Sequence, residues 1–420
     1  MEYSRIIIQG GHELRGDITI SGMKNAALPI LFATILIRDT VVLENVPPVS
    51  DILNTLEILR TMGARVVERD RTTYEINTTD LRQGSAPRPI VNRLRGSYYL
   101  LGAELGRFHR AMTFQPGGCN LGDRPIDQHI AGFTKLGAHV DPHDGMIDAT
   151  APNGLTGNRI FPDIVSVGTT MNVMIAAVLA EGTTVIENAA REPHVVDLAN
   201  FLNTCGANIT GAGTTMIRIR GVRELHGCTY SIVPDMIEAG TYMVAAAAAG
   251  GCVRVRSIIP KHLEIIGSKL TEMGVAVSEE DDAVSVRSTG VLRSVNIRTT
   301  PYPGFPTDMQ PQFVPLLCLA DGISCIQENI WEKRFTYVNE LLKMGANISL
   351  DGKCATIIGT RRLTGTGVTA TDLRAGAALV IAGLCAEGET EISGVEHIER
   401  GYCDMVDRLR DLGAVVRTAP

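Results

Sequence analysis

The segment PGGCNLGDRP, from Pro116 to Pro125, places a thiol, Cys119, five residues before a guanidinium, Arg124, within a stretch of three glycines and two prolines. A cation that close favours the thiolate, and glycines let a loop move. A thiol on a mobile lid suits proton transfer in a site that excludes water; the plainer alternative is a turn with an incidental thiol. A second loop, TTPYPGFPTDMQPQF, carries Asp308 after Pro301, Pro303 and Pro306. The fixed φ of proline sets where the carboxylate points, which suits a general base and equally a helix cap. Arg334 in WEKRF and Arg400 in HIERGY are candidate further cations, although an arginine taken alone is more often a solvated surface charge.

Two other constellations carry less. GTGVTA, Gly365 to Ala370, fits the loose dinucleotide pattern but lies late in a repeat rather than in an opening strand–helix unit. His139, Asp141, His143 and Asp144 resemble metal ligands, yet Pro142 and the HDG sequence read as a hairpin, and no other ligand pattern supports a metal.

The elements that must position these residues repeat. An amphipathic segment, a glycine and a strand opening recur six times, with the glycines at Gly63, Gly137, Gly206, Gly274, Gly345 and Gly413, spaced by 74, 69, 68, 71 and 68 residues. Glycine there fits the left-handed residue that ends a helix. Six units of about 70 residues, three in each half, imply an internally repeated α/β protein with a cleft between equivalent halves. Most units also contain a helix apolar around its circumference, such as NAALPILFATIL or TYMVAAAAAGG. Having no solvent face, these helices are expected at the centre of each domain with sheets outside.

Polar residues mark the entrances of these helices. Lys24, Arg95, Gly168, Asp235, Asp308 and Arg374 lie 39, 42, 38, 39, 37 and 39 residues before their repeat glycines. Free N–H groups and partial positive charge gather at helix N-termini, so their convergence makes an anion site. For Asp235 an N-cap is an equally good reading. Lys24 and Arg95 oppose the helix dipole and call for an anion beside them.

A net charge of -7 and 5% aromatic residues argue against a general nucleic-acid surface. The N-terminal MEYSRIIIQGG has no signal-peptide core, and VAAAAAGGCV is far shorter than the roughly 20 residues of a membrane span, so a soluble cytoplasmic protein is expected. Nine cysteines without a C-x-x-C pair, several of them in apolar runs, do not form a disulfide framework.

SGMKNAALPIL, RGSYYLLGAELGRF, PGGCNLGDRPIDQHI, VSVGTT, EGTTVIENAAREP, PGFPTDMQPQF and HIERGY occur in this order along the chain. Together they closely resemble the enolpyruvyl transferases that act on UDP-N-acetylglucosamine. The resemblance implies two inside-out α/β barrel domains of three repeats each, residues 21–232 and residues 1–20 plus 233–420, with the active site in the cleft between them. It implies transfer of the enolpyruvyl group of phosphoenolpyruvate to the sugar 3-hydroxyl with release of phosphate, in peptidoglycan synthesis, and no metal or redox cofactor. By that resemblance Lys24 and Asn25 bind phosphoenolpyruvate, and Arg124 and Arg400 clamp its phosphate and carboxylate. Arg95, Arg124, Pro125, Ile126, Asp127, Gln128, Ser166, Val167, Gly168 and Ile330 hold the nucleotide sugar. Asp308 stands at the attacking hydroxyl, and Cys119 is the lid thiol that donates a proton or assists product release and is alkylated by fosfomycin.

Asn120, Asp123 and Met23 replace smaller or commoner residues of these motifs, and Ile164 stands where some relatives carry Lys. Two rivals remain: the sister 3-phosphoshikimate enzyme, which is not expected to keep the PGGC lid, and a silent nucleotide-sugar-binding paralogue. A binder has no use for both an acid and a base.

Overall fold

The computed structural model describes residues 4–83, 86, 88–91, 94–114 and 126–420. They divide into two compact units: residues 4–21 with Pro234–Pro420 form one, and the described part of 22–233 forms the other.

In the 22–233 unit three helices pack on one another: α1 (Lys24–Ala33), α2 (Tyr99–Phe108) and α3 (Val167–Ala177). Every residue of α1 except Asn25 is buried. A helix without a polar stripe is stable only when enclosed, and three sheets supply the enclosure here. They are built on Thr40–Glu44, Arg110–Phe114 and Thr183–Glu187. Close packing of α2 on α3 depends on Gly102, whose N–H donates to Asn172 Oδ1 at 3.0 Å. A Cβ at Gly102 would lie 2.3 Å from that oxygen.

The other unit repeats the plan with α4 (Met236–Ala249), α5 (Gln310–Leu319) and α6 (Leu373–Cys385), again in mutual contact. Each central helix runs into a strand, then an outer helix, then a glycine, then further sheet. All six repeat glycines have φ between 86° and 100°, the left-handed value that a side chain resists.

Sheet order shows how the chain ends are used. Thr229–Ser231 runs parallel to Thr40–Glu44, so the last strand of the 22–233 unit completes its first sheet. Arg5–Gln9 lies antiparallel between Glu389–Ser393 and Val415–Ala419, with Ile6 opposite Ile392 and Ile8 opposite Thr390. It takes the place that the second hairpin strand fills in the other repeats. Leu14–Thr19 runs parallel to Gly251–Arg256 in a second sheet. The N-terminal segment is thereby bound into the C-terminal half.

Two of the weaker constellations take the expected form. His139–His143 and Met146–Thr150 make an antiparallel hairpin turning at Asp144 and Gly145, and Gly367–Thr369 within GTGVTA is a strand rather than a helix entrance. Among the described residues no group of three His, Cys, Asp or Glu could hold a metal ion, and no helix is long and apolar enough to cross a membrane.

The two glycine roles differ in cost. Gly345 has φ 86° and open space around a would-be Cβ. Gly345→Ala is expected to lose only the backbone strain, about 1 kcal/mol. Gly102→Ala must push α2 from α3 and is expected to lose about 2–3 kcal/mol, the upper range of overpacking. Thermal melting of the two variants should rank Gly102→Ala clearly lower, and the opposite order would contradict this packing.

Candidate active site

All six entrance residues stand at the leading ends of the central helices. Lys24 opens α1, Arg95 opens the single turn Arg95–Tyr98 that feeds α2, and Gly168 lies in the first turn of α3. Asp235 caps α4, its Oδ1 accepting from the N–H groups of Ile237 at 2.8 Å and Glu238 at 3.2 Å. Its capping reading is therefore the one realised. Asp308 lies in the turn Thr307–Met309 before α5, and Arg374 in the first turn of α6.

The anion that Lys24 requires is Asp51, in the first turn of the helix Ser50–Thr61, with Nζ 3.1 Å from Oδ2 and both side chains buried. The pair cancels the conflict between an ammonium and a helix N-terminus. Removing one partner of such a buried pair costs about 3–5 kcal/mol. Asn25 follows directly on the same turn.

Asp308 is not a cap; its carboxylate is gripped by two arginines. Arg334 Nη2 donates to Oδ1 at 3.0 Å, while Arg374 donates to Oδ2 through Nη2 at 2.9 Å and Nε at 3.2 Å. Arg334 is 2% exposed, so the surface-charge reading of this residue is overturned: its guanidinium also donates to Thr307 O, and burial requires these partners. Arg374 is fixed from behind. Asp372 caps α6 through the N–H groups of Arg374 and Ala375, and Arg374 Nη1 donates to Tyr402 Oη at 3.1 Å. Burial works against the Arg374 charge, but Asp308 foremost and then Tyr402 outweigh it, keeping the guanidinium protonated. The Asp308 side chain remains 30% exposed. A carboxylate so oriented and still partly exposed can receive a proton from a hydroxyl laid against it.

Arg400 lies just past the short helix Val395–Ile398, two residues before Tyr402, and is half-buried. Ile330, 36% exposed, belongs to the loop that buried Glu328 organises: its Oε1 accepts from the N–H groups of Ile330 and Trp331, and Oε2 from Thr307 Oγ1. The Ile330 and Asp308 loops thus share one anchor.

In the 22–233 unit a second cluster forms around Gly168. Ser166 caps α3 by accepting from Thr169 N–H at 3.2 Å, and Val167 begins the helix. A Cβ on Gly168 would come within 2.8 Å of Tyr98 Oη and 3.3 Å of the His129 ring. Tyr98 and His129 meet edge-on at 4.9 Å. His129 belongs to the helix Asp127–Lys135, which Ile126 precedes and where Gln128 Oε1 accepts from Asp163 N–H at 2.9 Å. The leading ends of α2, α3 and this outer helix are thereby brought together. Cys119, Arg124 and Pro125 lie outside the described residues, as does the side chain of Arg95.

The profile of the EPSP synthase (3-phosphoshikimate 1-carboxyvinyltransferase) family matches residues 8–409. The chain belongs to that family. Within it, the chain is 54% identical over 414 residues to UDP-N-acetylglucosamine 1-carboxyvinyltransferase of Clostridium botulinum, covering 98% of this chain and 99% of that one. It is 54% identical over 410 residues to UDP-N-acetylglucosamine 1-carboxyvinyltransferase 3 of Caldanaerobacter subterraneus, covering 98% of each. The crystal structure of the enolpyruvyl transferase NikO from Streptomyces tendae superposes over 100% of both chains with a TM-score of 0.90 at 28% identity. An EPSP synthase from Acinetobacter baumannii reaches 0.77 at 18% identity, a likeness of fold.

Against this family background, several residues of the site escaped the reading of the sequence. Asp51 and Glu328 lie in no quoted motif, and Tyr98, His129 and Tyr402 lie within motifs that gave them no role; all five act through partners distant in the chain. Arg374 did carry a signal, the repeat position it shares with Lys24 and Asp308.

Burial pushes His129 down from its ordinary 6.5 to about 4, with Asp127 opposing weakly, and its Nδ1 faces Asn172 Nδ2 at 3.1 Å as an acceptor. The unfolded chain takes up a proton near 6.5 and the folded chain only near 4. The stability from burying this neutral ring is complete above pH 6.5 and fades as pH falls toward 4, by about 3 kcal/mol in all. In denaturant titrations His129→Gln should flatten that acid-side loss; an unchanged slope would show that His129 titrates normally.

Proposed function

We infer that this chain transfers the enolpyruvyl group of phosphoenolpyruvate to the 3-hydroxyl of UDP-N-acetylglucosamine and releases phosphate, the committed step into peptidoglycan synthesis. The observation that carries this reading is identity above one half, over nearly the whole of both chains, with enzymes named for that reaction. The 3-phosphoshikimate alternative shares the family profile, but an enzyme named for that reaction is only 18% identical, against 54% for those named for the UDP-N-acetylglucosamine reaction. A silent binder is disfavoured by an oriented, partly exposed Asp308 carboxylate, which binding alone does not require.

In this proposal each unit is an inside-out α/β barrel of three repeats, and both contribute residues to the reaction. The 22–233 unit contributes Lys24, Asn25 and the Cys119 lid, and the other contributes Asp308 and Arg400. The chemistry needs two proton movements of opposite sense. A proton is delivered to the methylene carbon of phosphoenolpyruvate, for which Cys119 is the proposed donor, while the electron pair of the enol C=C bond forms the new C–H bond. The sugar 3-oxygen attacks the adjacent carbon, and its proton passes to Asp308. The tetrahedral adduct then loses a methyl proton and expels phosphate, restoring the C=C bond.

Lys24, Arg124 and Arg400 are the proposed counter-charges for the phosphate and carboxylate, each charged hydrogen bond contributing about 1.5–3 kcal/mol. Because Asp51 already holds Lys24, the ammonium is positioned before ligand arrives. For the nucleotide sugar we propose the entrance residues Arg95, Ser166, Val167 and Gly168, the run Arg124, Pro125, Ile126, Asp127 and Gln128, and Ile330. The absence of a side chain at Gly168 lets the Tyr98 and His129 rings pack against the first turn of α3.

Purified protein should release phosphate from phosphoenolpyruvate only when UDP-N-acetylglucosamine is added, followed by a colorimetric phosphate assay. Release with 3-phosphoshikimate in its place, or none with either acceptor, would remove the assignment.

A further inference from the structure

Away from the residues assigned to catalysis, two pairs of thiols approach each other closely without being bonded. Cys325 and Cys354, on neighbouring strands, have Sγ atoms 2.8 Å apart, and Cys205 and Cys228 have them 3.3 Å apart. The second pair has the chemical asymmetry of a redox site.

Cys205 ends the helix Pro193–Thr204 and is wholly buried. Cys228 is half-buried and directly precedes Thr229–Ser231, the strand that completes the first sheet of its unit. The hydrogen bond from Cys205 holds the Cys228 thiol below its ordinary range, with the His226 charge helping and burial opposing. The same hydrogen bond, then burial, pushes Cys205 well above it. The C-terminal end of a helix also disfavours a thiolate at Cys205. One half-buried thiol, the more readily ionised of the two, thus stands 3.3 Å from one wholly buried thiol, the arrangement in which a first cysteine is oxidised and a second resolves it.

We propose that Cys205 and Cys228 form a reversible redox site, at which a hydroperoxide converts the dithiol to a disulfide tying the helix Pro193–Thr204 to the closing strand of its unit. In the first step Cys228 Sγ attacks hydrogen peroxide: an S–O bond forms, the O–O bond breaks, and the departing oxygen leaves as hydroxide, which takes the proton given up by the Cys228 thiol and becomes water. In the second, Cys205 Sγ attacks Cys228 Sγ: the S–S bond forms, the S–O bond breaks, and the Cys205 proton leaves with the oxygen as a second water. The two sulfurs give two electrons to the peroxide. A thiol reductant reverses the change by exchange.

The bond would reinforce a contact already present. Asp197, on the same helix, accepts from Tyr230 Oη at 2.7 Å and from Val233 N–H at 3.2 Å, and the Phe201 and Tyr230 rings meet edge-on at 5.4 Å. A disulfide adds a covalent tie at the opposite end of that contact, so oxidation should stabilise the unit rather than distort it.

The test treats the full chain with hydrogen peroxide, blocks remaining thiols with an alkylating agent, and reads peptides by mass spectrometry and unfolding by thermal melting. The expected result is a Cys205–Cys228 linked peptide, a loss of about 2 Da that dithiothreitol reverses, and a higher melting midpoint. Cys228→Ser, which leaves the buried thiol in place, should abolish both the link and the rise. Recovery of Cys205 and Cys228 fully alkylated after peroxide, or linkage confined to Cys325 and Cys354, would overturn the proposal.

Discussion

A carboxylate held by a single flexible cation can swing; one held at both oxygens by two buried guanidiniums cannot. Asp308 is held in the second way, by Arg334 at one oxygen and Arg374 at the other. Much of the unit of residues 4–21 and Pro234–Pro420 is arranged to maintain that grip. Arg374 is seated at the start of α6 by the Asp372 cap, and its far side is held by Tyr402, which in turn meets Thr241 from α4 and Gln312 from α5. Three central helices therefore contribute to the direction of one side chain. Arg334 reaches the same carboxylate from the loop after Glu328, whose own oxygens hold Thr299 and Thr307. The burial of these charges is tolerable only because every one of them is paired.

The 22–233 unit solves the same problem with a simpler device. One ammonium at the head of α1 is balanced by one carboxylate from the neighbouring outer helix, and a glycine at the head of α3 leaves backbone where the other repeats place charge. Each repeat thus offers a helix N-terminus, and substitution at a single entrance position decides whether it presents a cation, an anion or bare backbone. The six-fold plan supplies the scaffold and the entrance residue supplies the chemistry.

Much of this was legible in the sequence because it is local. A glycine that ends a helix announces itself by type and spacing, and its positive φ follows from that role; all six were found this way. Helices without a polar face could only be central. Asp235 reads as a cap because capping is a contact across two or three residues. What escaped is non-local. Asp51 lies 27 residues from Lys24 and Arg334 lies 26 from Asp308, with no periodicity to link them; Arg374, 66 residues from Asp308, shares its repeat position, but the repeat does not show that the two side chains meet. Arg334 illustrates the cost of judging a charge alone, since an arginine in WEKRF gives no sign that it will be buried. The placement of Arg5–Gln9 beside the C-terminal strands came from resemblance, because an apolar run of three isoleucines shows a strand and not its neighbour.

The central claim is that Arg374 serves the reaction by orienting Asp308, the proposed base. A double-mutant cycle of Asp308→Asn and Arg374→Gln, read as the single-turnover rate of enolpyruvyl transfer, tests it directly. The account predicts that each single variant slows transfer, by about 10²-fold for Asp308→Asn, and that the double variant is no slower than Asp308→Asn alone. Rate losses that multiply in the double variant would show that Arg374 acts independently of Asp308 and would contradict the account.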